Sequence, residues 1–103
     1  MQNRFYPNGL YILDEPEAAL SPQRQLSFLV SLDELVRRND CQFIIATHSP
    51  IILAYPQATI YALGPDGIAK TTYEETEHYA LTRDFLMNRD RYLRRLLGDG
   101  DKS

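Results

Sequence analysis

The sequence is short of the residues that build disulfides, metal clusters and membrane spans. Cys41 is its only cysteine. This excludes an internal disulfide and a zinc site with several cysteine ligands, and a lone thiol is typical of a reducing cytosol. No apolar run approaches the roughly 20 residues that cross a bilayer, and the first four residues lack the apolar stretch of a secretory signal. We therefore expect a soluble cytoplasmic protein with no membrane segment.

Positive charge is also scarce, with 11 Lys and Arg against 14 Asp and Glu and a net charge of -3. The arginines over 89–95 are interleaved with Asp84, Asp90 and Asp99, which is typical of a solvated helix face and not of a surface that binds a phosphate backbone. The chain itself therefore gives no support for nucleic-acid binding. Its 103 residues, 44% of them hydrophobic, predict one small globular domain with a modest core.

Strands and helices are predicted to alternate along the chain. A Pro7-Asn8-Gly9 turn comes before the first strand, Ser21 caps the first helix, and Thr72 with Glu75 forms a capping box for a later one. We predict strands over 10–13, 42–46, 58–63 and 68–71, a helical turn over 51–54, and helices over 23–39 and 73–87. A last helix ends at Gly98, before a frayed tail over 98–103. This order implies an α/β fold with a mostly parallel sheet, in which the first strand is buried on both faces and 68–71 returns as a hairpin.

Polar residues follow two of these strands where each one ends. Asp14 and Glu15 come after the first strand, and Thr47-His48-Ser49 comes after the second. Chemistry in parallel sheets collects at this edge. One carboxylate there can hold Mg²⁺ and another can activate water, while a histidine can donate a hydrogen bond to a phosphate. The alternatives are that the two acids are solvated turn residues, that His48 is structural, and that Thr47 and Ser49 only cap the helical turn.

The stretch "LYILDEPEAALSP", followed about 30 residues later by "FIIATHSPIIL", resembles the C-terminal part of an ABC-type ATPase domain. The resemblance is to the branch with SMC-like, RecF-like and OLD-like ATPases and small bacterial AAA-type ATP-binding proteins. It is strong over residues 10–63, and residues 73–97 resemble the C-terminal helices of those small proteins. We accordingly expect residues 1–72 to form the Walker B to H-loop part of a three-layer P-loop NTPase fold.

The resemblance implies a role for each motif residue. Asp14 ends the Walker B strand and would support Mg²⁺ through water, Glu15 would be the catalytic carboxylate that polarises the hydrolytic water, and His48 would be the switch histidine at the γ-phosphate. The D-loop, which in this family lies across the interface between two nucleotide-binding domains, would be Glu17, Ala18, Ala19, Leu20 and Ser21. ABC transporters usually continue with Ser-Ala-Leu-Asp here, so Ala18-Ala19-Leu20-Ser21 favours the non-transporter branch.

A P-loop cannot be built from this sequence. It needs Gly-x-x-x-x-Gly-Lys-Ser/Thr, whose backbone N–H groups and lysine hold the phosphates, and the two lysines, Lys70 and Lys102, lie in no such motif. The Q-loop and signature sequence are absent too. We therefore expect the C-terminal portion of a larger ATPase that would use ATP and Mg²⁺ when complete. By itself it should neither bind ATP tightly nor hydrolyse it.

Loss of the P-loop strand, which lies between the strand ending at His48 and the strand over 58–63 in the family's sheet, would leave unpaired edges. We expect self-association, or a partner that carries the missing portion. Two other functions stay open. One is a non-catalytic interaction module that docks on a separate P-loop chain. The other, more remote, is a metal-dependent phosphohydrolase or nuclease that uses Asp14, Glu15, Glu17 and His48.

Overall fold

The computed structural model describes residues 9–98, which divide into two compact units, the first ending at Ala58 and the second beginning at Thr59. The first contains strand β1 (Leu10–Asp14), helix α1 (Pro22–Asn39) and strand β2 (Gln42–Ala46). The second contains strands β3 (Ile60–Gly64) and β4 (Gly67–Thr71) and helices α2 (Glu77–Met87) and α3 (Arg89–Leu97). Short 3-10 turns span Pro16–Ala19, Ile52–Ala54 and Tyr73–Glu75. The predicted turn residues Pro7 and Asn8, and the tail after Gly98, lie outside the described residues.

The first unit is a parallel strand pair joined by α1. β1 pairs with β2 from Leu10 opposite Gln42 to Asp14 opposite Ala46. α1 begins as predicted, because the Ser21 hydroxyl accepts a hydrogen bond from the Arg24 N–H at 3.2 Å and Pro22 lacks the N–H that would otherwise need a partner. It ends at Asn39, and the capping residue Asp40 adopts the left-handed conformation. The predicted strand–helix–strand order is therefore confirmed for this part of the chain.

The two faces of the β1–β2 sheet differ. Tyr11 and Phe43, whose rings stack at 5.5 Å between centroids, belong to the half-buried face. The opposite face carries Leu10, Ile12 and Ile44, which are 59%, 73% and 59% exposed. The expectation that the first strand is buried on both faces is therefore wrong, because no element within residues 9–58 covers the second face.

The second unit begins with a β-hairpin. β3 and β4 pair antiparallel, with Gly64 opposite Gly67 across the Pro65-Asp66 turn. The hairpin was predicted, but the mostly parallel sheet was not found. β3 pairs with β4 alone, so the described residues form one parallel and one antiparallel sheet of two strands each. Strand order along the chain could not reveal this, since β3 finds its partner in the next segment.

The first helix of the second unit, α2, starts later than predicted. The Thr72 side chain makes no capping hydrogen bond, and α2 is instead capped by Thr76, whose hydroxyl accepts from the Tyr79 N–H at 3.3 Å. Residues 73–75 form a separate 3-10 turn. α3 ends at Gly98 as expected. No helix within residues 9–98 is long and apolar enough to cross a membrane.

Candidate functional site

The two polar segments meet at the carboxyl end of the β1–β2 sheet. Asp14 is opposite Ala46 in the parallel register, and the Glu15 N–H continues the ladder by donating to the Ala46 carbonyl at 2.7 Å. Asp14 and Glu15 therefore leave β1 beside the point where Thr47 and His48 leave β2. We call Asp14, Glu15, Glu17, Thr47 and His48 the strand-end cluster.

Glu15 has an unusual backbone conformation, with φ 49° and ψ 57°. This left-handed region is uncommon for residues other than glycine and costs about 1–3 kcal/mol when the surroundings impose it. The turn is fixed on both sides, because the Glu15 N–H bonds Ala46 and its carbonyl accepts from the Ala18 N–H at 3.0 Å. The chain therefore changes direction at Glu15 and enters the 3-10 turn that contains Glu17.

Glu17 holds the segment after β2 with both carboxylate oxygens. Its Oε1 accepts from the Thr47 hydroxyl at 2.6 Å, and its Oε2 accepts from the His48 backbone N–H at 3.0 Å. Partial burial alone would raise the pKa of Glu17. The hydrogen bonds from Thr47 and His48, together with the charge of His48, outweigh burial and lower the pKa below its usual value. Glu17 is therefore held as a carboxylate.

His48 approaches the other carboxylate of the cluster. Its Nε2 lies 3.7 Å from Glu15 Oε2, and the two side chains are 72% and 53% exposed. An exposed ion pair contributes about 0–1 kcal/mol, whereas a hydrogen bond to a charged group contributes about 1.5–3 kcal/mol. The two bonds that Glu17 accepts therefore do more to fix this segment than the contact between His48 and Glu15 does.

Ser49 has a structural role. It is only 5% exposed, and its hydroxyl accepts from the N–H groups of Ile51 and Ile52, each at 3.1 Å, while donating to Gln25 Oε1. The alternative interpretation, that Ser49 stabilises the following helical turn, is therefore the one that its contacts support. Sequence reasoning missed Gln25, because a glutamine on a helix gives no sign that it will bind a serine 24 residues away.

The residues predicted to form the D-loop lie in the 3-10 turn and in the link to α1. Ala18 and Ala19 are exposed at the end of the 3-10 turn, Leu20 accepts from the Gln25 side chain at 3.1 Å, and Ser21 caps α1. Glu17 differs from these four residues because its carboxylate binds the segment after β2.

The groups of the strand-end cluster that could bind a metal are the carboxylates of Asp14, Glu15 and Glu17 and the imidazole of His48. Within residues 9–98, no three His, Cys, Asp or Glu side chains are placed to enclose a metal ion. Mg²⁺ does not need such an enclosure, because it is usually held through one or two carboxylates, substrate phosphates and waters. Asp14, exposed at the end of β1, fits that kind of binding and does not fit a metal held by protein ligands alone.

The segment that carries this cluster matches a known family. A family model described as an AAA ATPase domain matches residues 2–53, half of the chain. The chain belongs to the AAA ATPase domain family. The matched part of this AAA ATPase domain includes β1, α1, β2 and the whole strand-end cluster.

A curated relative agrees with the family match. The OLD nuclease of Thermus scotoductus is 46% identical over 43 residues, which cover 42% of this AAA ATPase-domain chain and 8% of the nuclease. The chain thus corresponds to a small part of that relative's length. No solved structure matches it. The resemblance to AAA-type and OLD-like P-loop ATPases is therefore confirmed.

Proposed function

We propose that this chain supplies the metal- and water-positioning half of an ATPase site. The proposal rests on the meeting of Glu15 and His48 at the carboxyl end of two parallel strands, 3.7 Å apart, in a member of a family that generally uses ATP and Mg²⁺. Asp14 would hold Mg²⁺ through water, Glu15 would orient the attacking water, and His48 would contact the γ-phosphate. Residues 17–21 would face a second nucleotide-binding domain.

The chemistry follows from the charges of these groups. Glu15 accepts a proton from the water as the water's oxygen attacks the γ-phosphorus and the bond to the leaving oxygen breaks. The His48 imidazole donates a hydrogen bond to a γ-phosphate oxygen, where negative charge is concentrated. Mg²⁺, when bound, neutralises part of the phosphate charge.

We further propose that the chain alone is inactive. Its sequence contains no Gly-x-x-x-x-Gly-Lys-Ser/Thr motif, so the backbone amides and lysine that would surround the phosphates must come from elsewhere. Isothermal titration of Mg-ATP into the chain should give no micromolar binding, and no steady hydrolysis should occur. Hydrolysis that Glu15→Gln abolishes would contradict this part of the proposal.

Paramagnetic Mn²⁺ tests the metal site directly on the chain. Millimolar Mn²⁺ should selectively broaden the amide resonances of Asp14, Glu15 and their neighbours after β2, because broadening falls steeply with distance from the ion. Asp14→Asn should remove this broadening. Asp66→Asn, in the exposed hairpin turn, is the matched control and should leave it unchanged. Equal broadening near every exposed carboxylate, or broadening that survives Asp14→Asn, would refute the metal role.

A second function, as an interaction module or split subunit, is favoured by the open face of the β1–β2 sheet. Leu10, Ile12 and Ile44 form an exposed apolar group there, and groups of this kind often bind a partner. A second copy of the chain or a P-loop-bearing portion could cover it. Sedimentation should show dimers that Ile12→Thr weakens without unfolding the chain. A monomer at micromolar concentration would remove the self-association version.

The remaining alternatives belong to the whole protein. The relative is named a nuclease, and metal-dependent nuclease action by this chain would require Asp14, Glu15, Glu17 and His48 to act together. The engagement of Glu17 by Thr47 and His48 disfavours that role. Mn²⁺-dependent cleavage of DNA by the chain alone would support the nuclease role.

A cytoplasmic location remains part of the proposal, supported by the single cysteine.

A further inference from the structure

Glu17 connects the two halves of the strand-end cluster. It lies two residues after Glu15 on the β1 side, and its carboxylate accepts from two donors on the β2 side, the Thr47 hydroxyl at 2.6 Å and the His48 N–H at 3.0 Å. The Thr47 hydroxyl oxygen in turn accepts from the Ser49 N–H at 3.0 Å. One carboxylate thus fixes the backbone on both sides of the His48 side chain.

The position of His48 needs such a support. Its imidazole is 72% exposed and reaches Glu15 Oε2 only at 3.7 Å, so the contact between these two side chains is weak and easily exchanged for water. The direction of the imidazole therefore depends also on the backbone that carries it. The Glu17 carboxylate, whose oxygens are both occupied, fixes that backbone.

We propose that Glu17 is a positioning residue for His48, in addition to any contact that it makes across a domain interface. This inference rests on the proposed function, because it assigns Glu17 to the same reaction. Glu17 touches no reacting atom. It acts by holding Thr47 and the His48 N–H, so that the imidazole and the Glu15 carboxylate face the same place in front of the sheet.

The test measures, in the full chain, how much a change at Glu15 shifts the NMR resonances of the His48 imidazole. The imidazole carbon and proton resonances of His48 are recorded by NMR at neutral pH, with His78 on α2 as an internal reference. Glu15→Gln should shift the His48 resonances. When the chain also carries Glu17→Gln, the Glu15→Gln change should shift the His48 resonances much less, because the imidazole no longer stays near residue 15. This is a double-mutant cycle read out by chemical shift.

Two further variants make the result specific. Thr47→Val removes one of the two bonds to Glu17 at nearly constant side-chain shape and should reduce the response partly. If Glu17→Gln unfolds the first unit, Thr47→Val decides the question. Glu34→Gln removes an exposed carboxylate on α1 and should leave the response intact. An unchanged response in both Glu17→Gln and Thr47→Val, or a loss in Glu34→Gln as well, would overturn the proposal.

The outcome is separate from that of the metal experiment. Suppose that Glu17→Gln removes the His48 response and that Mn²⁺ broadening does not depend on Asp14. This result would support the geometric role of Glu17 and refute the ATPase site. Localised broadening combined with an unchanged His48 response would refute Glu17 as the positioning residue while retaining the ATPase site.

Discussion

Replacing Ser49 by alanine should destabilise the first unit more than any other single hydroxyl removal in the segment after β2. The Ser49 hydroxyl accepts from the N–H groups of Ile51 and Ile52 and donates to Gln25. Alanine leaves all three groups without this partner. Because Ser49 is only 5% exposed, water reaches the vacated position poorly.

The magnitude follows from the burial of each group. The bond to the Ile52 N–H is buried, while the bonds to the Ile51 N–H and to Gln25 are only partly so. A buried polar group that loses its partner costs about 1–3 kcal/mol, and one that can find water costs less. One full loss and two partial ones give about 2–3 kcal/mol. This is a large fraction of the roughly 5–15 kcal/mol by which a typical domain is stable.

Urea unfolding, followed by NMR peak intensities of residues in the first unit, measures this loss. The slope m should stay constant while the midpoint falls, since the surface exposed on unfolding hardly changes. The matched control is Ser27→Ala on α1, an exposed serine whose hydroxyl makes one long bond of 3.4 Å to the Gln23 carbonyl. That variant should change stability by at most about 0.5 kcal/mol. Equal effects of Ser49→Ala and Ser27→Ala would refute the reasoning.

Three further predictions concern other polar contacts. Partial burial opposes ionisation of Glu17, but its hydrogen bonds prevail and lower its pKa. Its stabilising contribution is therefore complete above its usual pKa and lost as pH falls through the lowered value, so Glu17→Gln should flatten the acid side of an unfolding midpoint–pH curve. Tyr55→Phe removes a 2.8 Å bond to Asp33 and should cost about 1.5 kcal/mol at neutral pH. Burial and that bond raise the pKa of Tyr55, so the contribution disappears as pH rises through the raised value, and Tyr55→Phe should remove a late-ionising component from an ultraviolet titration. Thr76→Ala should lower hydrogen-exchange protection of α2 by about 1 kcal/mol, whereas Thr72→Ala, which removes no capping bond, should not.

The elements of the first unit could be predicted because their signals are local. The apolar run ending at Asp14, the Ser21-Pro22 start of α1 and the apolar residues before Thr47 each determine structure within a few residues. β2 occupies residues 42–46 as predicted. The meeting of the two polar segments also followed, since parallel pairing brings the carboxyl ends of both strands to one edge.

The errors arose where two nearby signals compete or where the partner is distant. Thr72 and Thr76 both offer a hydroxyl ahead of a helical pattern, and the bond from Tyr79 to Thr76 decides between them. The pairing of β3 with β4 alone depends on contacts that strand order does not encode. The hydrogen bonds from Thr47 and His48 to Glu17 span 30 and 31 residues, so no local sequence signal predicts them. The resemblance assigned Glu17 to the D-loop, and that assignment stays a prediction.

The left-handed turn at Glu15 determines which substitutions there report on chemistry. Its backbone N–H and carbonyl are both bonded to neighbouring segments, whereas its side chain is 53% exposed, so shape and reactivity are supplied by different atoms of one residue. Glutamine keeps the shape and removes only the base. Valine or isoleucine would add steric strain at φ 49°. A loss of activity in such a variant would therefore measure backbone distortion together with the missing carboxylate.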